Sequence, residues 1–519
     1  MLETSQEYDV VICTATDYNP DGQNLENTNL TEFLFFRPLG AYRMRTFLET
    51  KGIRTKVIDF CNILTKEQIR KLVDKYVSKR TKFLCLSGTF IGIGFGGKKG
   101  YDVMYNLETK DVVAELDDIF QQQKSKYNNL KVLVGGARAS FIDLTCADYF
   151  INSYGEKAFL DLYNDVTSDS ITYKGKKIIQ GIQNMSHETY NTIFKPEDGI
   201  DHEIMTIEVS RGCIFKCAFC NFPLNGKKQR DYIRDVESLK DEIQYNYETF
   251  GVDQYILADD TFNDSIYKLE QLLPAFESTP IKFATYIKPE LLISQPDQVD
   301  ILVEMGLVGP SFGIESLNPL TRKSVQKGFT YEKIQPALVE LKEKALKRHG
   351  HYNSEWNLIV GLPHETNDES MKNAEYLYNS YECDGITWRA LGINNRSVNT
   401  GGVPLSPIEL DPGKYGYKVG PMSAFIPNAP IHDDFMYWMN DTNNSNYVKS
   451  LATTLELQKM EIEQGYVSSF YMMNAYNCGF DYRERSMKRS SFGEKELLNL
   501  RSYIRAKVDD YYEKQICMM

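Results

Sequence analysis

Two successive series of short apolar segments, each alternating with helix-patterned ones, constrain the fold of this chain more than any other feature. In the first series, residues 8–15, 55–60, 82–90, 131–136 and 148–153 are apolar runs of strand length. Helical patterning covers 39–51, 66–79, 109–124 and 156–164 between them. Strands apolar on both faces and separated by crossover-length helices must lie parallel in a sheet covered on both sides. The expectation for residues 1–165 is therefore an α/β, Rossmann-like doubly wound sheet. Such sheets bind ligands beyond the carboxyl ends of their strands. Here those ends carry Ser87-Gly88-Thr89, Gly135-Gly136 and Gly155-Glu156. The glycine-rich stretch "GTFIGIGFGGKKG" (88–100) runs over the same edge, and it lacks the Gly-Lys-Ser/Thr ending of a Walker loop.

A polar connector is expected over 166–202, with a small hairpin around Gly175. The second series then gives strands at 203–210, 254–259, 281–288, 307–316, 355–363 and 384–392. Helices fall at 235–249, 264–277, 295–304, 319–325, 331–348 and 368–381. Six β/α units in a row over 203–395 predict a partial (β/α)6 barrel, whose chemistry belongs at the carboxyl ends of its strands. Residues 396–519 change to proline- and glycine-rich loops followed by helices at 446–464 and 494–515. They read as an α-rich extension that covers the barrel mouth or shapes a substrate pocket.

The bulk numbers narrow the function. Within 519 residues no apolar run reaches membrane-spanning length, and the start "MLETSQEYDVVICTA" has no secretory pattern, which favours the cytoplasm. A net charge of −12 argues against broad binding to a nucleic-acid backbone. Of the ten cysteines, Cys13, Cys61, Cys85, Cys146, Cys383, Cys478 and Cys517 are scattered without disulfide-framework spacing.

The remaining three crowd into "EVSRGCIFKCAFCNFP" (208–223) as Cys-x3-Cys-x2-Cys: Cys213, Cys217 and Cys220. A closed zinc site or a closed iron–sulfur cluster takes four protein ligands. Three thiolates on a loop that follows the first barrel strand instead suit three corners of a [4Fe–4S] cube, with the fourth iron left for a small molecule. This spacing, in this place, resembles the signature of the radical S-adenosylmethionine (SAM) superfamily. The resemblance implies that SAM chelates the open iron and is cleaved reductively to a 5′-deoxyadenosyl radical. It further implies an external one-electron reductant of flavodoxin or ferredoxin type.

Other segments carry the same resemblance. Phe219 matches the aromatic position near adenine. "ILADDTFND" (256–264) resembles the second-strand segment, with Asp259 and Asp260 as SAM or cavity contacts; a supporting role for the next helix start, at Asn263 or Asp264, is the alternative. "SFGIESLNPLTRKSVQKGFT" (311–330) is similar to the fourth strand, where Glu315 and Ser316 are SAM contacts. "VGLPHETNDE" (360–369) resembles a Gly-Leu-Pro-Gly-Glu-Thr stretch with His364 in place of glycine, while Gly361 and Pro363 are equally accounted for as turn residues.

Domain order adds to this. "RPLGAYRMRTFLETKG" (37–52), "VGGARAS" (134–140) and "DYFINSYGEKAF" (148–159) look like the subgroup with an amino-terminal cobalamin (B12)-binding domain. The implied corrinoid contacts are Ser87, Thr89, Gly135 and Gly136. All six histidines lie after residue 186, so this domain offers no histidine to cobalt. The expected function is a radical SAM enzyme that functionalises an unreactive carbon, foremost by cobalamin-dependent C-methylation of a small-molecule, nucleoside or peptide substrate. Three alternatives stand beside it: a cobalamin-independent radical rearrangement or oxidation, a methylthiotransferase with a second cluster on Cys13, Cys61 and Cys85, and a non-catalytic metal-binding scaffold.

Overall fold

The computed structural model describes residues 7–16, 37–88, 112–136, 139–168, 177–181, 191–200, 203–222, 226–227, 232–393, 405–421, 436–464 and 494–517. The first sheet is built from β1 (Val10–Cys13), α1 (Leu39–Thr50), β2 (Thr55–Ile58), α2 (Lys66–Tyr76), β3 (Phe83–Ser87), α3 (Val112–Lys126), β4 (Lys131–Gly136), β5 (Tyr149–Ser153), α4 (Glu156–Ser168) and β6 (Ile178–Gly181). Its strand order is β2-β1-β3-β4-β5-β6, and every pair is parallel. The order reverses between β1 and β3, the switch point at which such sheets open a crevice. Period-two alternation divides the core. Val10, Ile12, Phe83, Cys85, Leu133 and Ile151 pack with Ala41, Phe47 and Phe159 of α1 and α4. Val11, Cys13, Leu84, Leu86 and Val134 pack on the other face with residues of α2 and α3.

Part of the 166–202 connector joins this sheet, because β6 lies parallel to β5. The hairpin expected around Gly175 falls outside the described residues, as do Thr89 and the rest of the glycine-rich stretch after Gly88.

The second sheet comprises β7 (Met205–Glu208), α5 (Val236–Phe250), β8 (Gln254–Ala258), α6 (Ile266–Glu277), β9 (Lys282–Ile287), α7 (Glu290–Ser294), α8 (Gln298–Met305), β10 (Leu307–Glu315), α9 (Pro319–Ser324), α10 (Tyr331–His349), β11 (Glu355–Val360), α11 (Asn367–Leu377) and β12 (Ile386–Ala390). Its strands run in sequence order from β7 to β12, all parallel, the topology of an open six-stranded partial barrel. Helix ends follow local chemistry. Asp235 caps α5, Gly251 ends it in the left-handed region, and Thr366 with Glu369 forms a capping box on α11.

The last region is less uniformly helical than its sequence suggests. It opens with α12 (Pro407–Leu410) and an antiparallel sheet of β13 (Tyr417–Gly420), β14 (Tyr437–Asn440) and β15 (Ser445–Asn446). The small sheet sits at the ends of β11 and β12: Tyr417 donates to the Gly361 carbonyl at 2.7 Å and Trp438 Nε1 to the Leu391 carbonyl at 2.9 Å. The next helix, α13 (Tyr447–Gln464), packs beside β12, where Gln458 donates to the Trp388 carbonyl. The final helix, α14 (Glu494–Cys517), covers the first sheet instead of the barrel mouth. The Tyr511 hydroxyl accepts the Asp59 N–H at 2.9 Å, and the Gln515 carbonyl accepts from Lys75 and Tyr76.

Buried arginines join the two sheets. Arg37 binds Glu203 through two nitrogens, at 3.1 and 2.9 Å, and Arg45 forms a two-point pair with Asp198. Charges this deep are tolerated because each is paired and hydrogen-bonded.

Candidate functional site

The cysteine loop leaves the carboxyl end of β7 and is fixed from three sides. The Lys227 N–H donates to the Cys213 carbonyl, and the Cys220 N–H closes a turn on the Cys217 carbonyl. The Ala218 N–H reaches the Val325 carbonyl after α9, while the Ala218 carbonyl accepts from Ile408 of α12. Ala218 and Val325 belong to a small apolar cluster with Leu362, Ile408, Tyr415 and Trp438, and Phe219 packs against it. The carboxy-terminal region thus holds the loop directly.

Cys213 Sγ accepts the Phe215 N–H at 3.4 Å and stands 3.3 Å from Thr261 Oγ1; burial pushes its thiol up to about 11. Positive charge gathers at Cys217. The charges of Lys288 and Lys327 both reach it, with Lys288 Nζ 4.8 Å from the Phe215 ring centroid and Lys327 Nζ 5.8 Å from that of Phe219. Among the described residues, no three histidine, cysteine, aspartate or glutamate side chains stand close enough to hold a metal ion. The donor set fits an iron–sulfur cluster by its chemistry: three soft sulfurs on one short loop and no histidine or carboxylate between the sulfurs in sequence.

The two aspartates after β8 differ. Asp259 is engaged: Oδ2 accepts from Ser210 at 2.7 Å and pairs with Lys268 at 2.7 Å, and Oδ1 accepts the Thr261 N–H. Asp260 accepts the Gly212 N–H, and burial followed by the neighbouring Asp259 charge pushes its carboxyl up to about 7. The following helix is capped by Ser265, whose side chain accepts from Lys268 N–H, and not by Asn263 or Asp264. Asn263 instead links to the backbone of Lys288 and to Gln298, and Asp264 accepts from Tyr232 at 2.6 Å.

Glu315 takes a left-handed backbone, φ 64°, and pairs with Lys327 at 3.1 Å, which also donates to the Gly313 carbonyl at 2.8 Å. Burial works against the Lys327 ammonium, yet the Glu315 and Glu290 carboxylates hold it above its ordinary value. Burial, then the Lys327 charge, depresses Lys288. Ser316 is fully buried, and its hydroxyl accepts the Asn318 N–H at 3.0 Å. His364 keeps a glycine-like backbone, φ 70°; its N–H donates to Thr442 Oγ1 at 3.0 Å and its side chain is exposed.

A cavity of about 310 Å³ lies at the carboxyl edge of the first sheet. Ile12, Cys85, Leu133 and Ile151 form its apolar wall, Ser87, Gly135 and Gly136 its rim, and Gly40, Arg43 and Met44 of α1 its side. Its last wall comes from the start of the barrel, Glu208 and Arg211. Arg211 donates to Glu208 at 2.7 Å and to Glu156 at 2.6 Å and stacks 4.0 Å from the Tyr154 ring centroid. Burial disfavours the Glu208 carboxylate, but Arg211 and Arg43 hold it below its ordinary range. The size is at the low end for a small-molecule site, about 300–1,000 Å³. A Cβ built on Gly40 meets nothing within 4 Å, so the α1 side is open space. An apolar slot rimmed by glycines and lacking histidine fits one lobe of a corrinoid bound without a histidine ligand. It does not fit a second cluster: Cys85 faces this cavity, whereas Cys13 and Cys61 lie in the core on the opposite face of the sheet.

Sequence reasoning missed Arg211, Lys268, Lys288 and Lys327. The one available signal is Lys268, which falls beside Leu269 and Leu272 on the buried face of α6, where a lysine needs a partner.

Likeness to known proteins bears on this arrangement. Residues 207–377 match the family model described as the radical SAM superfamily. An "uncharacterized methyltransferase" (PH0819) of Pyrococcus horikoshii is 24% identical over 294 residues, covering 52% of this chain and 62% of that protein. The cytidylyl-2-hydroxyethylphosphonate methyltransferase of Streptomyces wedmorensis is 24% identical over 156 residues, 30% of this chain and 28% of that protein. The match therefore spans less than two thirds of either relative. In fold, the chain is similar to the radical SAM methyltransferase TsrM of Kitasatospora setae, solved with cobalamin and a [4Fe–4S] cluster, with a TM-score of 0.60 at 13% identity over 96% of this chain and 100% of that one.

Proposed function

From the match of residues 207–377 to the radical SAM superfamily and the cobalamin-binding-like sheet ahead of the barrel, we propose that the chain is a radical SAM enzyme, a cobalamin-dependent methyltransferase acting on an unreactive carbon of a small molecule. The observation that carries this reading is adjacency. Glu208 and Arg211 wall the cavity of the first sheet, and Arg211 precedes Cys213 by two positions, so the corrinoid slot and the cysteine loop share one segment of chain. The methyltransferase relatives and the cobalamin-containing TsrM support it.

In this reading Cys213, Cys217 and Cys220 hold the cluster, and Ser87, Gly135 and Gly136 border the corrinoid. Thr89 keeps the role its sequence position implies. When bound, the cluster supplies one-electron cleavage of SAM and the corrinoid supplies methyl transfer. The protein contributes placement and charge. Lys288 and Lys327 offset the negative charge of thiolates at Cys217. Glu315, Ser316 and Phe219 would contact SAM from the side of the loop nearest β10, and Asp260, the less committed of the two aspartates, would hold its amino group. Asp259 acts through Lys268, holding the Thr261 turn against Cys213. An external one-electron reductant of flavodoxin or ferredoxin type completes the system. Among the described residues no helix is long and apolar enough to cross a membrane.

Anaerobic reconstitution with iron, sulfide, hydroxocobalamin, SAM and dithionite tests the reading. Corrin absorbance should remain after gel filtration, and 5′-deoxyadenosine or S-adenosylhomocysteine should form. A Cys217→Ala variant that kept its cluster and still cleaved SAM would overturn it.

A further inference from the structure

The segments that hold the cysteine loop differ in charge from the rest of the chain. Of 519 residues, 71 are acidic against 59 lysines and arginines, about one acid in every seven positions. Residues 209–227, 316–331 and 412–421 nevertheless contain no aspartate or glutamate. Folding brings these three segments together. The Ala218 N–H reaches the Val325 carbonyl at 3.2 Å, and the Ala218 carbonyl accepts the Ile408 N–H at 2.9 Å, shortly ahead of the third segment. Tyr415, within that segment, packs in the same apolar cluster as Ala218, Val325 and Ile408.

Exposed lysines surround this junction. Two residues of chain span at most about 7 Å. Lys216 stands two positions before Ala218, Lys323 two before Val325 and Leu410 two after Ile408. Lys414 precedes Tyr415, with its Nζ 5.6 Å from that ring centroid. Lys216, Lys323 and Lys414 are exposed, and among the described residues none of the three enters an ion pair, whereas Lys418 is tied to Asp441. Asp411, the exposed acid at the edge, caps a turn by accepting the Lys414 N–H at 3.3 Å. Large apolar side chains accompany the lysines: Phe222, Leu320 and Leu410 are 47, 64 and 60% exposed. Leu320 and Lys323 are three apart on α9 and share its outer side, while Thr321 and Arg322 between them are buried.

A cationic face with apolar points, on a chain of net charge −12, is selective. The molecule as a whole repels an acidic protein, and this face attracts one, so charge both admits the partner and orients it. Cys217 sits between Lys216 and Ala218 in the chain, so the thiolates of the cluster lie immediately behind the face. We propose that this face docks a small acidic electron-carrier protein, which hands one electron to the cluster held by Cys213, Cys217 and Cys220. The carrier's centre is oxidised by one electron and the cluster is reduced by one; no bond forms and no proton moves. The proposal rests on the barrel being the SAM-cleaving site and adds where the reductant sits.

Flavodoxin and a ferredoxin, both acidic carriers, are the probes for the anaerobically reconstituted full-length protein. Calorimetric titration should show binding that weakens as salt rises. Carbodiimide cross-linking, which joins a lysine to a touching carboxylate, should place its cross-links on Lys216, Lys323 or Lys414. Charge reversal by Lys323→Glu with Lys414→Glu, both outside the cysteine loop, should weaken binding about tenfold or more and slow carrier-driven SAM cleavage at sub-saturating carrier. Cleavage driven by dithionite, a small reductant that needs no docking face, should keep its wild-type rate in the same variant. Lys323→Arg with Lys414→Arg should bind as wild type. If the charge-reversed variant does not fold, the cross-link map decides. Binding of neither probe, cross-links elsewhere, or carrier binding indifferent to charge reversal overturns the proposal. Dithionite also separates the two readings. Wild-type protein that fails to cleave SAM with it sinks the barrel assignment, whereas dithionite-driven cleavage with charge-indifferent carrier binding sinks only the docking face.

Discussion

Gly361 follows β11 with φ 96°, and a Cβ there would lie 2.6 Å from Trp438 Cη2 and 2.9 Å from Ser450 Oγ. Left-handed strain and overpacking both oppose a side chain, so Gly361→Ala should cost about 2–4 kcal/mol, read as a lower melting temperature. Gly40→Ala is the counterpart: it meets open space within a helix, so it should fold at least as stably while narrowing the cavity at the edge of the first sheet, and on the proposed function weaker cobalamin retention is the readout. Glu365 gives a pH test. Burial pushes its carboxyl up to about 7, against hydrogen bonds from Ser316 and Asn373. The folded state binds this proton more tightly than the unfolded chain, so its contribution is fully present below the ordinary carboxyl pKa and is lost as pH rises toward 7. Glu365→Gln should therefore gain stability relative to wild type at pH 8, on the order of 1–3 kcal/mol, and little at pH 4; equal differences at both would exclude it. At this scale the cysteine triplet stands out in the sequence because three thiols crowded into eight positions form a soft donor set by themselves, without help from the fold. The partners of Asp259 and Glu315 were not, because Lys268 and Lys327 reach them only once the chain has folded.

Among the elements, the strands and helices of both series lie close to their expected ranges, since each carries its own periodicity and turn residues. What escaped the sequence depends on pairing. Strand β6 is four residues long and gains its identity only beside β5. The β13–β14–β15 sheet is similarly short, and its role comes from where Trp438 and Tyr417 dock. Helix α12 shows the consequence best: one turn long, it places the Ile408 N–H on the Ala218 carbonyl and its side chain in the cluster beside Phe219. Ile408→Ala should cost about 2–5 kcal/mol of local packing and loosen the cysteine loop. Iron and sulfide per chain after reconstitution should fall while far-ultraviolet circular dichroism stays unchanged; full iron content would show that α12 does not support the loop.

For the molecule as a whole, the two sheets are joined by charge as well as by apolar packing. Arg37 meets Glu203, Arg45 meets Asp198, and Arg211 meets Glu156. Lys507 of α14 joins the same group through Glu203. Deleting residues 494–519 would strip Glu203 of one cation and Asp59 of the Tyr511 hydroxyl, each loss costing about 1–3 kcal/mol. Scanning calorimetry should show a lower transition, and limited proteolysis should cut the first sheet sooner. An unchanged transition would remove α14 from the account of stability.

These links also set a timetable for synthesis. A ribosome delivers residues 8–165 before some partners of their buried charges exist: the carboxylates at 198 and 203 come next, the arginine at 211 after them, and the tyrosine at 511 much later. Domains that emerge first ordinarily fold first. Here Arg37 and Arg45 of the earliest sheet must wait for Glu203 and Asp198, so the first sheet completes its buried pairs only as the start of the barrel is made.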